Sequence, residues 1–273
     1  MYGKTEKHDR RPIAVFDSGV GGISVLSELA TLMPQESFLY YGDSANAPYG
    51  SRTAAEVCAL TDTHVGALVQ KGAKAVVIAC NTATGAAITY LRQKYAGIPV
   101  IGIEPAIKPA AEAFPGGRVL VLATPMTLSS EKFRALMEKH AQTAEIVPVP
   151  CPRLARLIES GILSGAPLTD YLTELMLPYR DRPADAVVLG CTHYPFIRDA
   201  VEAVTGTAQI FDGGLGTARE TRHQLQLHGM LTDASEPGFI EIDNSDPTPQ
   251  RLQFCERLLQ IGREKCHERA ETK

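Results

Sequence analysis

Two cysteines in this chain of 273 residues follow apolar strands in closely similar contexts. Cys80 lies in AVVIACNT and Cys191 lies in AVVLGCTH, and in both a helical pattern follows the small polar residues after the cysteine. A helix N-terminus carries a partial positive charge and free N–H groups, which stabilise a thiolate. We therefore expect both thiols to have a lowered pKa and to take part in chemistry.

A pair of thiols supports three kinds of chemistry, which the residues alone leave open. One thiol could attack a substrate with a histidine as its base, or the two thiols could form a redox disulfide. Alternatively, one thiol could take a proton from a carbon atom while the other delivers a proton to the opposite face. The third option uses the similarity of the two contexts, because inverting a stereocentre needs an acid and a base on opposite sides.

Polar residues near these cysteines could assist the thiols or bind a ligand. Asp17 follows the first strand and could either cap the next helix or hold an ammonium group, whereas His193 could exchange a proton with Cys191. Short polar donors beside the cysteines could bind a carboxylate at the helix N-termini: Asn81, Thr82 and Thr192. The sequence around Glu159, LIESG, is typical of a solvated helix residue.

The spacing of the other candidate ligands argues against a metal or dinucleotide site. The six cysteines include no C-x-x-C pair, which disfavours both zinc and a disulfide framework. DSGVGG, residues 17–22, is a glycine-rich turn, but no G-K-[ST] follows it and Ser24 replaces the third glycine of a dinucleotide motif. We expect no metal and no bound dinucleotide, and we interpret the remaining cysteines as buried packing residues: Cys58, Cys151, Cys255 and Cys266.

The elements that must position these residues alternate between short apolar strands and longer helical stretches. Strands are predicted near residues 12–16, 37–41, 75–79, 98–103, 118–123, 145–149, 186–189, 209–211 and 239–242. Helices are predicted between them, and one begins at the capping box formed by Thr53 and Glu56. This alternation is typical of parallel sheets covered by helices, in which functional groups gather at the carboxyl ends of the strands.

The positions of the strand ends suggest that the chain contains two similar α/β units. Asp17 follows the first strand of one half, and Thr124 follows the corresponding strand of the other half. This match and the match of the two cysteine contexts occur in the same order, which favours a duplicated unit. If the two units face each other, Cys80 and Cys191 reach one shared cleft from opposite sides.

The composition indicates an ordinary globular chain and excludes several classes of protein. Hydrophobic residues make up 44% and charged residues 21%, which is typical of folded chains. A net charge of −4 argues against a nucleic-acid partner, and no apolar run approaches the roughly 20 residues that span a bilayer. We interpret residues 1–11 as a charged N-terminal tail and expect a cytoplasmic protein with no membrane partner.

Five segments together resemble glutamate racemase, a branch of the aspartate/glutamate racemase superfamily. In chain order they are FDSGVGG, GDSANAPYGSR, ACNTAT, IGIEPAIKPA and LGCTHYP. The resemblance implies an α/β fold of two pseudo-symmetric, flavodoxin-like domains, with parallel sheets flanked by helices and the active site in the cleft between them. The first domain would comprise residues 12–104 plus 212–273, and the second would comprise residues 105–211.

The same resemblance implies an isomerase that interconverts L- and D-glutamate without a cofactor and supplies D-glutamate for peptidoglycan. Cys80 and Cys191 would be the acid/base residues, the first taking the proton from D-glutamate and the second from L-glutamate. Asp17, His193 and Glu159 would support the thiols. The implied substrate contacts are Asp17, Ser18, Tyr49, Gly50, Asn81, Thr82, Thr192 and His193. We expect glutamate as the small-molecule partner and a homodimer as the assembly.

Two other functions stay open at this point. A non-catalytic protein that binds or senses an amino acid could use the same scaffold, and thiol alkylation separates the two because it inactivates a racemase and need not affect a sensor. A related racemase that acts on aspartate is the third option, and a panel of substrates distinguishes it.

Overall fold

The computed structural model describes residues 9–271, and its strands form two sheets. The strands are β1 (Ile13–Asp17), β2 (Phe38–Gly42), β3 (Ala75–Ile78), β4 (Val100–Gly102), β5 (Arg118–Ala123), β6 (Glu145–Pro150), β7 (Ala186–Leu189), β8 (Gln209–Asp212) and β9 (Ile240–Asn244). The first sheet has the order β4-β3-β1-β2-β9, and the second has the order β6-β5-β7-β8. All of these neighbouring strands are parallel, as the alternation of strands and helices predicts.

Helices connect the strands and cover the sheets. They are α1 (Ile23–Leu32), α2 (Ala54–Gln70), α3 (Asn81–Lys94), α4 (Ile107–Ala113), α5 (Pro125–Ser129), α6 (Glu131–His140), α7 (Leu154–Glu159), α8 (Ala166–Met176), α9 (Arg198–Thr205), α10 (Gly214–Leu227) and α11 (Pro249–Glu271). Short 3-10 turns lie at Ser44–Asn46, Tyr49–Ser51, Leu177–Tyr179 and Tyr194–Ile197. Each predicted strand is present with its ends within two residues, whereas α4 and α5 were not predicted.

The two sheets share one topology, which confirms the predicted pair of similar α/β units. In each, the first strand of the unit lies between the second and the third, giving β2-β1-β3-β4 and β6-β5-β7-β8. This is the flavodoxin-like strand order. The chain also returns late to the first sheet, because β9 pairs with β2. The division at residues 104/105 and 211/212 stays a prediction.

The core consists of apolar clusters on the two faces of each sheet. Along β1, Val15 packs into one cluster and Phe16 into the other, and along β5, Leu120 and Val121 are divided in the same way. Successive side chains of a strand point to opposite faces, so a strand covered by helices on both sides is apolar throughout. The polar residues of interest are therefore confined to the loops where the strands end.

The predicted capping box at the start of α2 is present, and it gives a stability test. The Thr53 hydroxyl accepts a hydrogen bond from the Glu56 N–H at 3.3 Å, and the Glu56 carboxylate accepts one from the Thr53 N–H at 2.8 Å. We expect Thr53→Ala to lower the free energy of unfolding by about 1 kcal/mol, because it leaves the first turn uncapped. Urea denaturation measures this loss of stability. The control is Thr63→Ala, an exposed position in the middle of α2, which should cause no loss of stability. Equal stability of Thr53→Ala and the parent chain would contradict this expectation.

The structure bears on only part of the predicted N-terminal tail, since residues 1–8 lie outside the described residues. Lys74 holds the start of the described segment: its ammonium donates to the Asp9 carbonyl at 2.6 Å and pairs with Glu36 at 2.6 Å. Both side chains of this ion pair are buried. Within residues 9–271, no helix is both long and apolar enough to cross a membrane.

Candidate active site

The two cysteines singled out by the sequence line one cavity between the strand ends of the two sheets. Cys80 follows β3 and Cys191 follows β7, and the loops after β1 and β5 complete the walls. The full lining is Ser18, Ala47, Pro48, Tyr49, Gly50, Cys80, Asn81, Thr82, Thr124, Thr127, Ala155, Glu159, Cys191, Thr192 and His193. The structure thus brings together every candidate site residue except Asp17, which lies directly behind Ser18 and Thr192.

This cavity is small, with a volume of about 20 Å³. That volume holds about one water molecule. Hydrogen bonds join the walls across it: Thr192 Oγ1 donates to Asp17 Oδ2 at 2.9 Å, and Ser24 Oγ donates to the Thr192 carbonyl at 2.8 Å. A ligand with several heavy atoms can enter only after the walls that carry β1 and β7 have moved apart.

The surroundings of Cys80 hold it as a protonated thiol. Its Sγ lies 3.2 Å from Ser18 Oγ and accepts a hydrogen bond from the Ala83 N–H at 3.4 Å. Burial raises the pKa of Cys80 to about 12, and the charge of the Asp17 carboxylate adds to the increase. The expectation that the N-terminus of α3 lowers this pKa is therefore wrong, because burial and a neighbouring anion outweigh the helix dipole.

Cys191 has a cation beside it instead of an anion. Its Sγ lies 3.6 Å from His193 Nδ1, and His193 Nε2 lies 2.7 Å from Glu159 Oε1. Burial alone would lower the pKa of His193, but the contacts with Cys191 and Glu159 raise it well above its usual value. The two thiols thus lie in different surroundings, Cys80 beside the Asp17 carboxylate and Cys191 beside the ring of His193.

The cation at Cys191 comes from a side chain and not from the helix expected there. A 3-10 turn, Tyr194–Ile197, follows the cysteine, and α9 begins only at Arg198. Pro195 in this turn has no N–H to contribute to a regular helix. The helix predicted over residues 196–204 is present as α9, but the 3-10 turn separates its N-terminus from Cys191, and the group beside the thiol is the ring of His193.

Asp17 is wholly buried at the carboxyl end of β1, where Oδ1 accepts a hydrogen bond from the Gly19 N–H at 2.7 Å. Gly22 is the N-cap of α1, so the alternative that Asp17 caps this helix is wrong. Burial raises the pKa of Asp17 to about 6, although His193 and the Thr192 hydrogen bond oppose the increase. A buried carboxylate of this kind favours a cation bound close to it.

Glu159 lies at the end of α7 and is buried in the site, with its side chain 12% exposed. Its carboxylate accepts hydrogen bonds from the Val20 N–H at 2.8 Å and from Arg251 Nη1 at 3.1 Å, besides the contact with His193. Burial opposes ionisation, but His193, Val20 and Arg251 together lower the pKa of Glu159. The interpretation of Glu159 as a solvated helix residue is wrong, because the β1 loop and α11 cover it.

Comparison with known proteins decides the family. The model of the Asp/Glu/Hydantoin racemase family matches residues 23–221. Glutamate racemase of Clostridium botulinum (strain Hall) is 51% identical over 252 residues, which cover 92% of this chain and 98% of that protein. The chain belongs to the glutamate racemase family. The resemblance inferred from the five sequence segments is thereby confirmed.

Solved structures of glutamate racemases share the fold. The enzyme from Francisella tularensis, solved in complex with D-glutamate, has a TM-score of 0.82 at 28% identity and covers 92% of this chain and 94% of its own. The glutamate racemase isoform RacE1 from Bacillus anthracis has a TM-score of 0.82 at 32% identity, and the match covers 93% of this chain and 95% of that protein. These similarities confirm two parallel sheets flanked by helices.

Another wall of the cavity in this glutamate racemase family member is built on the loop after β2. The Tyr49 hydroxyl donates to Asp43 at 2.6 Å, and Asp43 also contacts Asn46 and His64, at 3.0 Å and 3.2 Å. Burial and the hydrogen bond to Asp43 raise the pKa of Tyr49 well above its usual range. The side chain of Tyr49 is thus fixed, and it places the backbone of Gly50 in the cavity wall.

A cluster of hydroxyl groups completes that wall and includes residues that sequence reasoning missed. Thr82 Oγ1 lies 3.1 Å from the hydroxyls of both Thr124 and Thr127. The strand pattern identifies Thr124 only as a strand end, and it does not single out Thr127. The signal was present, because a threonine after β5 and another three residues later are the N-cap and N3 positions of α5. Nearby, the buried Asn81 Oδ1 has no hydrogen-bond partner within the described residues.

The glycines of DSGVGG are needed for close approach to the site. A Cβ at Gly19 would overlap Glu159 Oε1, and a Cβ at Gly21 would overlap the ring of His193. None of these turn glycines has a positive φ. The motif therefore allows the β1 loop to pack directly on the two residues that support Cys191.

The donors in this family site are thiols, hydroxyls, an amide and a His–Glu pair. The part of the chain that the structure describes contains no group of three or more His, Cys, Asp or Glu residues that could hold a metal ion. The groups present suit proton transfer and the binding of small charged groups.

Proposed function

We propose that the protein interconverts L- and D-glutamate by proton transfer between two cysteines, with no cofactor. The observation that carries this proposal is one cavity with two thiols in opposite surroundings, Cys80 beside the Asp17 carboxylate and Cys191 beside the His193 imidazolium. Glutamate as substrate is supported by the glutamate racemases that match 92% of the chain.

In the direction from L- to D-glutamate, Cys191 is the base. Its thiolate takes the α-proton, the electron pair of the C–H bond stays on the substrate, and the Cys80 thiol delivers its own proton to the opposite face. The enzyme is left with a Cys191 thiol and a Cys80 thiolate, which is the form that acts on D-glutamate. Reversing the roles of the two residues completes the cycle.

Substrate binding uses the groups around the thiols. We assign the substrate ammonium to the side of Asp17 and Ser18, where the buried carboxylate favours a cation. The α-carboxylate faces the N-terminus of α3 at Asn81 and Thr82, because free N–H groups bind anions there. Thr192 and His193 contact the substrate from the β7 side, and Tyr49 and Gly50 bound the space for its side chain.

The difficult step is ionisation of a weakly acidic C–H bond without an electron sink. Closure of the walls excludes water, and in a dry cavity the substrate ammonium and the oriented N–H and hydroxyl donors stabilise the developing negative charge more strongly. The small volume of this cavity supports closure as part of the cycle.

The test is a circular-dichroism time course on each glutamate enantiomer in D₂O without added cofactor. We expect both signals to decay to zero and the product to carry deuterium at Cα. Binding of glutamate without α-proton exchange would refute the proposal and favour a sensor. Exchange with aspartate but not glutamate would indicate the aspartate branch.

We further propose that the reaction supplies D-glutamate for peptidoglycan in the cytoplasm and that the active form is a homodimer. The racemase family membership supports the first part of this proposal. Light scattering tests the assembly, for which we expect twice the chain mass of 29.4 kDa. A single-chain mass at working concentration would refute the homodimer.

A further inference from the structure

The last helix of the chain reaches the site through one side chain, Arg251. Its Nη1 donates to the Glu159 backbone carbonyl at 3.0 Å and to Glu159 Oε2 at 3.1 Å, while Nε contacts Asp246 at 3.4 Å. Arg251 lies on α11, whose core residues Cys255 and Leu258 pack with the first sheet. Glu159 ends α7, which packs with the second sheet. Arg251 thus joins the two α/β units at Glu159.

The two carboxylate oxygens of Glu159 have different neighbours. Oε1 faces inward, toward His193 and the Val20 N–H. Oε2 faces Arg251 and, at 3.4 Å, Ser44. On the Oε2 side lies a second cavity of about 390 Å³, lined in part by Arg156. That volume has room for several water molecules, so a carboxylate released by Arg251 could turn toward them.

We infer that Arg251 is a positioning residue for the Cys191 half of the reaction, because it holds Glu159 in the orientation that keeps His193 against Cys191. This inference rests on the proposed two-thiol racemisation. The Cys80 half has its own neighbours, Asp17 and Ser18, and neither contacts Arg251. Loss of Arg251 therefore impairs proton removal by Cys191 and leaves proton removal by Cys80 unchanged.

Racemisation rates cannot separate the two halves, because an equilibrium constant of one forces kcat/KM to change equally in both directions. Elimination of chloride from 3-chloroglutamate can separate the two halves, because this reaction needs only one base. The thiolate takes the α-proton, the C–H electron pair forms a Cα=Cβ bond, and chloride leaves. The resulting enamine tautomerises and is hydrolysed to 2-oxoglutarate and ammonium. The epimer with L configuration at Cα reports on Cys191, and the D epimer reports on Cys80.

The experiment measures both eliminations in Arg251→Met, which keeps the length of the side chain and removes its charge and donors. We expect kcat for the L epimer to fall about 10- to 100-fold, the range for loss of an outer partner that orients a reacting group. The rate for the D epimer should stay within about twofold. Arg251→Lys should recover part of the loss, and Arg156→Met, which removes a charge at the same cavity, should match the parent.

Each other outcome overturns the inference. An equal fall for both epimers would show that Arg251 only supports the fold, and no fall for either would show that Glu159 keeps its place without it. If Arg251→Met does not fold, Arg251→Gln carries the test with the same expected difference between the two epimers, since it removes the positive charge that faces the Glu159 carboxylate and keeps a polar side chain. Failure of the proposed function is distinct, because the parent protein would then process neither glutamate nor either epimer.

Discussion

Cys80→Ala and Cys191→Ala are each expected to lower the rate of racemisation by about 100- to 10,000-fold, in both directions. Each direction needs one thiolate and one thiol, and loss of a positioned acid or base costs about 100- to 10,000-fold. The circular-dichroism time course from either enantiomer measures the loss. Cys58→Ala, on α2 and away from the cavity, is the control and should stay within about twofold.

The same two variants should separate when only a base is required. Cys80→Ala keeps the Cys191 thiolate and its His193 partner, so it should still eliminate chloride from the L epimer of 3-chloroglutamate. Cys191→Ala should process the D epimer only. Racemisation by either variant within tenfold of the parent would refute a two-thiol mechanism, and loss of both eliminations would mean that each thiol needs the other for binding.

The strands could be predicted because they are buried on both faces. A parallel strand covered by two layers of helices has no polar positions, so β3 and β7 stand out as short apolar runs with polar ends. Helices α4 and α5 could not be found in the same way. They have 7 and 5 residues, which is too few for a clear helical period.

The cysteine pair could be predicted because the repeat places both thiols at equivalent strand ends. The contacts of His193 and Glu159 beside Cys191 could not be predicted, since they depend on residues from distant parts of the chain. Glu159 is 139 positions from Val20 and 92 positions from Arg251, the residues that bury its carboxylate. No local pattern around LIESG records those neighbours. The raised pKa of Cys80 was missed for the same reason, because desolvation is a property of the packed core.

Asp17→Asn is expected to stabilise the protein at neutral pH. The pKa of Asp17 is 3.8 in an unfolded chain and about 6 in the fold, so the folded state favours the protonated acid. The stability this provides is complete below pH 3.8 and is lost as pH rises through 6. This difference in pKa means that ionisation of Asp17 lowers the free energy of unfolding of the parent chain by about 3 kcal/mol in total. The neutral asparagine does not ionise, so the variant avoids this loss.

Urea denaturation of the parent and Asp17→Asn between pH 4 and 8 measures this effect. The stability of the variant relative to the parent should rise by about 2.4 kcal/mol between pH 4 and pH 7 and then level off, because part of the full difference is already lost at pH 4. A pH-independent offset is also expected, because the amide cannot accept hydrogen bonds at both positions. Asp43→Asn is a control with a pKa shift in the opposite direction. Burial alone would raise the pKa of Asp43, but hydrogen bonds from His64 and Tyr49 lower it. That variant should lose stability at neutral pH, with no change between pH 4 and 8.

The gain in stability should coincide with a loss of activity of about 10- to 100-fold, the usual worth of a hydrogen bond to a charged group. The burial that penalises the Asp17 carboxylate in the empty site is offset when a substrate ammonium binds beside it. The parent chain therefore holds an unfavourable charge in readiness for that cation. An Asp17→Asn variant with full activity and the predicted pH-dependent gain would show that the buried charge has no part in binding. An inactive variant without the gain would show that Asp17 is already neutral in the folded chain.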